Sequence, residues 1–128
     1  MENIFEEEFN IIETACSEVR KTLGIGFSEK IYEEALAVEM EFAGLRVESQ
    51  KKMDIYYKGK LIGSYLADMV INDDIVVEFK REESITDLHT KQLLNSLAAT
   101  NKKLGILINF SYEDKEFEII RVTNIKKY

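Results

Sequence analysis

The chain has 128 residues, 45% of them hydrophobic and 32% charged, the proportions of an ordinary globular protein. One cysteine excludes an intrachain disulfide, and no apolar run approaches the roughly 20 residues that a membrane helix needs. A net charge of −7 argues against a general nucleic-acid-coating role, which draws on a basic surface. The length suits a single domain spanning residues 1–128. Met1–Glu8 is acidic and lacks the basic-then-apolar pattern of a signal peptide, so the expected location is the cytoplasm.

From Ile4 to Leu23, apolar residues fall at Phe5, Phe9, Ile12, Cys16, Val19 and Leu23, one stripe of an amphipathic helix with Arg20 and the glutamates elsewhere. Cys16 lies on that stripe and reads as a small core residue. Gly24-Ile25-Gly26 interrupts the pattern, Ser28 is a candidate N-cap, and a second helix runs to Phe42 before Gly44. Its expected core stripe is Ile31, Ala35, Val38 and Phe42, with Glu29, Tyr32, Glu33 and Leu36 on an adjacent face. Glu29 opens the helix, where an anion complements the unpaired N–H groups. Tyr32 is expected to pack between helix and sheet with its hydroxyl hydrogen-bonded, and Glu33 is a further carboxylate one turn on.

Arg46–Gln50 and Met53–Tyr57 predict one strand with an irregular middle, which Lys58-Gly59-Lys60 turns into Leu61–Ile71. Gly63 inside that second strand suggests a bulge or the close approach of another backbone. Asn72-Asp73-Asp74 then turns the chain into Ile75–Lys80. A three-residue loop makes the pairing symmetric about Asp73 and sets Asp68 opposite Glu78. Directly opposed Cβ atoms lie roughly 4.5–5.5 Å apart. Glu78 and Lys80 share a face, so two carboxylates and one ammonium form a cluster beside Val70, Val76 and Phe79. Opposed carboxylates repel unless something compensates, and a divalent cation bound by oxygens does so. Lys80 would then orient a water or stabilise developing negative charge. A cross-strand ion-pair ladder on a solvated face is the alternative.

Ser84 or Thr86 is a candidate cap for a third helix reaching Thr100, with apolar positions Leu88, Leu93, Leu94, Leu97 and Ala98. His89, the one histidine, has no marked nucleophile near it and reads as a surface or rim residue. Leu104–Ile108 is nearly continuous apolar sequence, expected to pair in parallel with Ile75–Lys80 through a right-handed crossover. Tyr112–Lys115 predicts a turn into a last strand near Phe117–Val122, and Asn124–Tyr128 a frayed tail. The element order is ααβββαββ, an α/β domain of the mixed α+β kind.

Asp68, nine residues, then Glu78-Phe79-Lys80 resembles the D…ExK core of the PD-(D/E)XK nuclease superfamily. Gly26-Phe27-Ser28-Glu29-Lys30-Ile31-Tyr32 is similar to the GxxExxY motif of a small prokaryotic family within it. Gln92-Leu93-Leu94-Asn95 and Leu104–Phe110 also resemble that family's segments, and the similarity runs from about Leu23 to Val122. The resemblance implies a restriction-endonuclease-like mixed sheet flanked by helices. It implies Mg2+ or Mn2+ held by Asp68, Glu78 and the Phe79 carbonyl, with Glu29 as a third acidic group. It further implies that Gln92 positions water or phosphate. Related families often carry a tyrosine four residues beyond such a glutamine; here that position is Ser96, and the aromatic contribution is lost.

The leading expectation is metal-dependent hydrolysis of nucleic-acid phosphodiester bonds, DNA before RNA, by a hydrolase with catalytic residues Glu29, Asp68, Glu78, Lys80 and Gln92. A basic rim from Lys51, Lys52, Lys58, Lys60, Lys80, Arg81, Lys91, Lys102 and Lys103 would grip substrate weakly or with a helper protein, and a homodimer would widen it. A non-catalytic or partner-dependent regulatory protein on the same fold is the alternative, and hydrolysis of a small phosphate ester a third. No GxxxxGK[ST] loop is present, which disfavours an ATPase.

Overall fold

The computed structural model describes residues 4–111 and 117–124. Two helices, α1 (Glu6–Leu23) and α2 (Glu29–Phe42), precede a meander of β1 (Val47–Tyr57), β2 (Lys60–Ile71) and β3 (Ile75–Lys80). Helix α3 (Asp87–Thr100) then leads into β4 (Leu104–Asn109) and β5 (Glu118–Thr123). The expected order ααβββαββ is the observed one. The expected turn at Tyr112–Lys115 and most of the Asn124–Tyr128 tail lie outside the described residues.

The strands form one sheet in sequence order, β1-β2-β3-β4-β5. Only the β3–β4 pair is parallel, joined by the α3 crossover. Every residue of β4 is buried, as its continuous apolar sequence demands of a central strand. Alternation along the strands separates two cores. Ile75, Val77, Phe79, Ile106 and Ile108 pack against α1 and α2. Val70, Val76 and Leu107 pack against Leu93 and Leu97 of α3.

The hairpin geometry follows the turn residues. Lys58 and Gly59 both have positive φ, as do Asn72 and Asp73, so each turn matches the right-handed twist of its flanking strands. The Asp74 N–H closes the second turn on the Ile71 carbonyl at 3.0 Å. In β1 the irregular middle is Gln50, held at φ 52° where the register passes from Ser49↔Met69 to Lys51↔Ala67. Near Gly63 the register shifts between Ile55 and Tyr56, so the glycine neighbours a bulge. No atom lies within 4 Å of a Cβ built there, which excludes the close backbone approach. Gly105 is the glycine that packing requires: a Cβ there would meet Leu93 Cδ2 at 2.7 Å.

Three expectations about helix faces are corrected. Helix α2 buries Tyr32, Leu36, Ala37 and Met40, while Ile31, Val38 and Phe42 are exposed, Phe42 by 85%. The face that docks carries no β-branched residue and includes Tyr32, which stacks on Phe110, and its docking turns the adjacent glutamates toward the sheet. Arg20 is buried rather than solvent-facing, with Nη2 donating to the Ser111 carbonyl at 2.5 Å and its guanidinium over the Tyr32 and Phe110 rings. A planar, weakly hydrated guanidinium tolerates burial when stacked and hydrogen-bonded. Finally, α3 buries only Leu93 and Leu97 of its five expected apolar positions, because it crosses a sheet whose β4 glycine lets it sit close along a narrow contact.

Candidate active site

The β2–β3 register runs Ile71↔Ile75, Val70↔Val76 and Met69↔Val77, symmetric about Asp73. The next opposed pair is Asp68 and Glu78, where the backbone ladder stops and the two carboxylates replace it. The Asp68 N–H donates to Glu78 Oε1 at 3.1 Å, and the Phe79 N–H donates to Asp68 Oδ2 at 2.8 Å. The acids thus satisfy two main-chain donors that strand separation would otherwise leave unpaired. Each carboxylate commits one oxygen to the hairpin and has a second beyond it.

An open cleft of about 430 Å³ begins at this separation. Glu29, Asp68, Glu78, Phe79 and Lys80 line it, with Arg81 and Glu82 beyond. The structure therefore gathers Glu29 from α2 with the three hairpin residues. Gln92 is not in that cleft. It lines a smaller adjoining cavity of about 170 Å³ with Tyr65, His89 and Ser96, and Glu78 and Lys80 border both spaces.

Electrostatics mark the acidic side of the cleft. Burial first, then Asp68, raises the Glu29 pKa, opposed by Lys80 and Arg81. Glu78 is raised by burial, with the Tyr65 hydrogen bond pulling it back and Asp68 pushing it further up. Glu33 is pushed up to about 7 by burial and then by Asp68, Glu29 and Glu78. The rotation of α2 described above is what turns Glu33 into this field. Partly desolvated carboxylates that raise one another's pKa are a configuration that a divalent cation relieves, and their oxygens are the hard donors that magnesium or manganese takes. Among the described residues, no three acidic, histidine or cysteine side chains converge as a ready-made metal cage. Two carboxylates with a main-chain carbonyl and solvent form a donor set that fits the way magnesium is held, which retains several waters.

Tyr65 escaped the sequence reading. Its hydroxyl donates to Glu78 Oε1 at 2.5 Å, and Ser96, whose own hydroxyl donates to the Gln92 carbonyl at 3.1 Å, lines the same cavity. Position 96 carries no aromatic ring, as expected, and the tyrosine that lines this cavity beside Ser96 comes from β2. The available signal was Tyr65 three residues before Asp68, readable only once the end of the β2–β3 ladder and the docking of α3 are known.

The surrounding residues hold this arrangement still. Tyr32 is buried, as expected; its hydroxyl donates to the Gly24 carbonyl at 2.6 Å, and its ring stacks on Phe110 at 4.8 Å. Arg81 lies over the same ring at 5.6 Å. Buried Asn109 clamps the segment after β3, accepting from the Glu82 N–H at 2.9 Å and donating to the Glu82 carbonyl at 3.1 Å. His89 Nδ1 accepts the Thr86 N–H at 3.0 Å while Thr86 accepts from the His89 N–H, a reciprocal helix cap. That satisfies His89 structurally at the rim. Cys16 is buried, and burial raises its thiol pKa, so it stays an inert core residue.

No described helix is long and apolar enough to cross a membrane. No curated protein sequence matches the chain. Among solved structures, the fold is similar to an alkaline exonuclease, LHK-Exo, from Laribacter hongkongensis. The TM-score is 0.56 and the identity 14%, over 98% of this chain and 73% of that one. It is also similar to the protein SSO0001, with a TM-score of 0.54 and 20% identity, over 96% of this chain and 61% of that one. At these identities the likeness is one of fold. The model of the PD-(D/E)XK nuclease superfamily matches residues 6–122, nearly the whole chain, and with the Asp68…Glu78-Phe79-Lys80 hairpin in place this chain belongs to that superfamily.

Proposed function

We propose that the protein is a nuclease that hydrolyses phosphodiester bonds, with DNA the preferred nucleic acid, using Mg2+ or Mn2+. One observation carries the reading: Asp68 and Glu78 meet where β2 and β3 separate, with Lys80 on the same cleft wall. Asp68, Glu78 and the Phe79 carbonyl would hold the cation, and Glu29 tunes or completes the acidic shell. When bound, such a cation lowers the pKa of its water and offsets charge on the scissile phosphate. Lys80 orients the attacking water and stabilises the negative charge that develops on the phosphate oxygens. Gln92, across the strand in the adjoining cavity, positions water or phosphate from the α3 side. Residues 1–128 act as one domain, and the site of action is the cytoplasm.

The test is cleavage of single- and double-stranded DNA and RNA with Mg2+, Mn2+ or EDTA, beside Glu78→Ala and Lys80→Ala. Metal-dependent cutting lost in both variants supports the assignment; cutting retained by a folded Glu78→Ala variant refutes it. The net charge of −7 favours a second reading, a fold that engages nucleic acid weakly and acts with a helper protein or as a homodimer. Cleavage that appears only with added partner would select it.

A further inference from the structure

The hairpin of β1 and β2 outruns the sheet. β3 pairs with β2 only through Met69–Ile71, so Lys60–Asp68 have no strand neighbour on that side. At about 3.3 Å per residue, Lys60–Ser64, beyond the Tyr65 that packs with α3, alone project about 13 Å. The tip is unusually apolar for exposed sequence: Tyr56 is 60%, Tyr57 61% and Ile62 64% exposed, with Leu61 beside them. It is also basic. No acidic residue occurs between Asp54 and Asp68, while Lys58 and Lys60 flank Gly59 at the turn. Neither lysine is ion-paired to a described residue, and Lys58 Nζ lies 5.7 Å from the Tyr57 ring centre.

The distribution of charge along the chain makes this hairpin distinctive. Residues 1–46, which include α1 and α2, hold eleven acidic and four basic residues; residues 47–128 hold thirteen of each. The whole excess of negative charge therefore belongs to the first 46 residues, and the arm is a local positive element. Exposed tyrosines with unpaired lysines are the surface that stacks bases and neutralises phosphates. The same strand runs from the tip into Tyr65 and Asp68, so whatever the arm holds is led to the cleft.

We infer that the β1–β2 hairpin is a nucleic-acid-gripping arm, with Tyr56 on one face of the ribbon and Tyr57 on the other as base-stacking rings and Lys58 and Lys60 on the sugar-phosphate backbone. A second copy is the weaker occupant, because two equivalent basic tips brought together in a symmetric dimer would repel. The inference rests on the proposed nucleic-acid substrate, yet its test is separable from cleavage. Binding of fluorescein-labelled 30-nucleotide DNA, single- and double-stranded, would be followed by anisotropy in EDTA over a salt series. The comparison is wild type against Y56A/Y57A and K58E/K60E, with circular dichroism to verify folding.

The expected result is at least tenfold weaker binding for each double variant. For K58E/K60E the log–log salt slope should also fall by about 2. Cleavage of a chromogenic phosphodiester with Mn2+, too small to reach the tip, should be unchanged in both. If no substrate is cut but the arm variants still lose DNA, the proposed chemistry fails and the arm stands. Wild-type affinity and salt slope in both variants overturn the arm. So does a wild type that binds no DNA, or a sedimentation-detected oligomer that the tip substitutions abolish.

Discussion

The two faces of the sheet are built differently. On one, α1 and α2 bury a broad core through Phe9, Ile12, Val19, Tyr32, Leu36 and Met40. On the other, α3 rests on two buried leucines and the space that Gly105 leaves. The broad face supplies carboxylates, Glu29 and Glu33, whose pKa values burial and the nearby Asp68 raise. The narrow face supplies neutral groups, Gln92, Ser96 and Tyr65. Glu78 and Lys80 border both spaces, so the hairpin joins an acidic, firmly held half-site to a polar, lightly held one. A wide core fixes charged groups that would otherwise push apart, while the thin α3 contact suffices for groups that only donate or accept hydrogen bonds.

Substitution at the junction should have the largest effect. Lys80→Ala is expected to reduce cleavage by about two to three orders of magnitude, the scale of losing one preorganised electrostatic group. Glu78→Ala should match it in activity and also lower stability by about 1–3 kcal/mol, since the Asp68 N–H loses its acceptor. Denaturant unfolding beside the nuclease assay separates the two effects. Wild-type cleavage in either variant would dissolve the idea of a shared junction.

The cores themselves come next. Leu36→Ala, at a fully buried position on the broad face, should cost about 2–5 kcal/mol. Gly105→Ala, which drives a methyl group into Leu93 on the narrow face, should cost about 1–3 kcal/mol. Urea midpoints decide between them; a larger loss from Gly105→Ala would reverse the ranking of the two faces.

Tyr65→Phe isolates the narrow face's hold on Glu78. Removing the phenol deletes the 2.5 Å hydrogen bond and its downward pull on the Glu78 pKa. Stability should fall by about 1 kcal/mol. The lower limb of the cleavage pH profile should move to higher pH, because Glu78 then ionises later. An unmoved limb would restrict Tyr65 to packing.

The last effect, visible only as a pH dependence, belongs to Glu33. Its folded pKa of about 7 lies above the ordinary carboxylate value, so the folded state binds more protons than the unfolded chain between those two values. Stability should therefore decline as pH rises from about 4.5 toward 7, then level off. Glu33→Gln should flatten that decline and make the protein more stable than wild type above pH 7. Thermal unfolding at pH 5 and pH 8 tests it; equal slopes in the two proteins would place Glu33 outside the acidic field.

Much of this was legible in the chain because it depends on local chemistry. Strand alternation, the αL-tolerant Gly59 and Asn72-Asp73 of the two turns, and the buried run Leu104–Ile108 each specify backbone geometry within a few residues. The length of the Asn72–Asp74 loop alone sets the register that opposes Asp68 to Glu78, because side chains alternate with period two and a slip would separate them. Other features waited on tertiary structure. Helix α2 has apolar residues on two faces, Ile31-Ala35-Val38-Phe42 and Tyr32-Leu36-Met40, and periodicity cannot rank them. Docking chose the face on which Tyr32 stacks with Phe110, 78 positions away, and so aimed Glu29 and Glu33 at the sheet. Arg20 over those rings and Tyr65 on Glu78 arise the same way, from partners distant in the chain. The sequence by itself determined which strands pair and which acids oppose each other; tertiary packing decided which helix faces look at them, because a helix turns by its contacts and not by its own period.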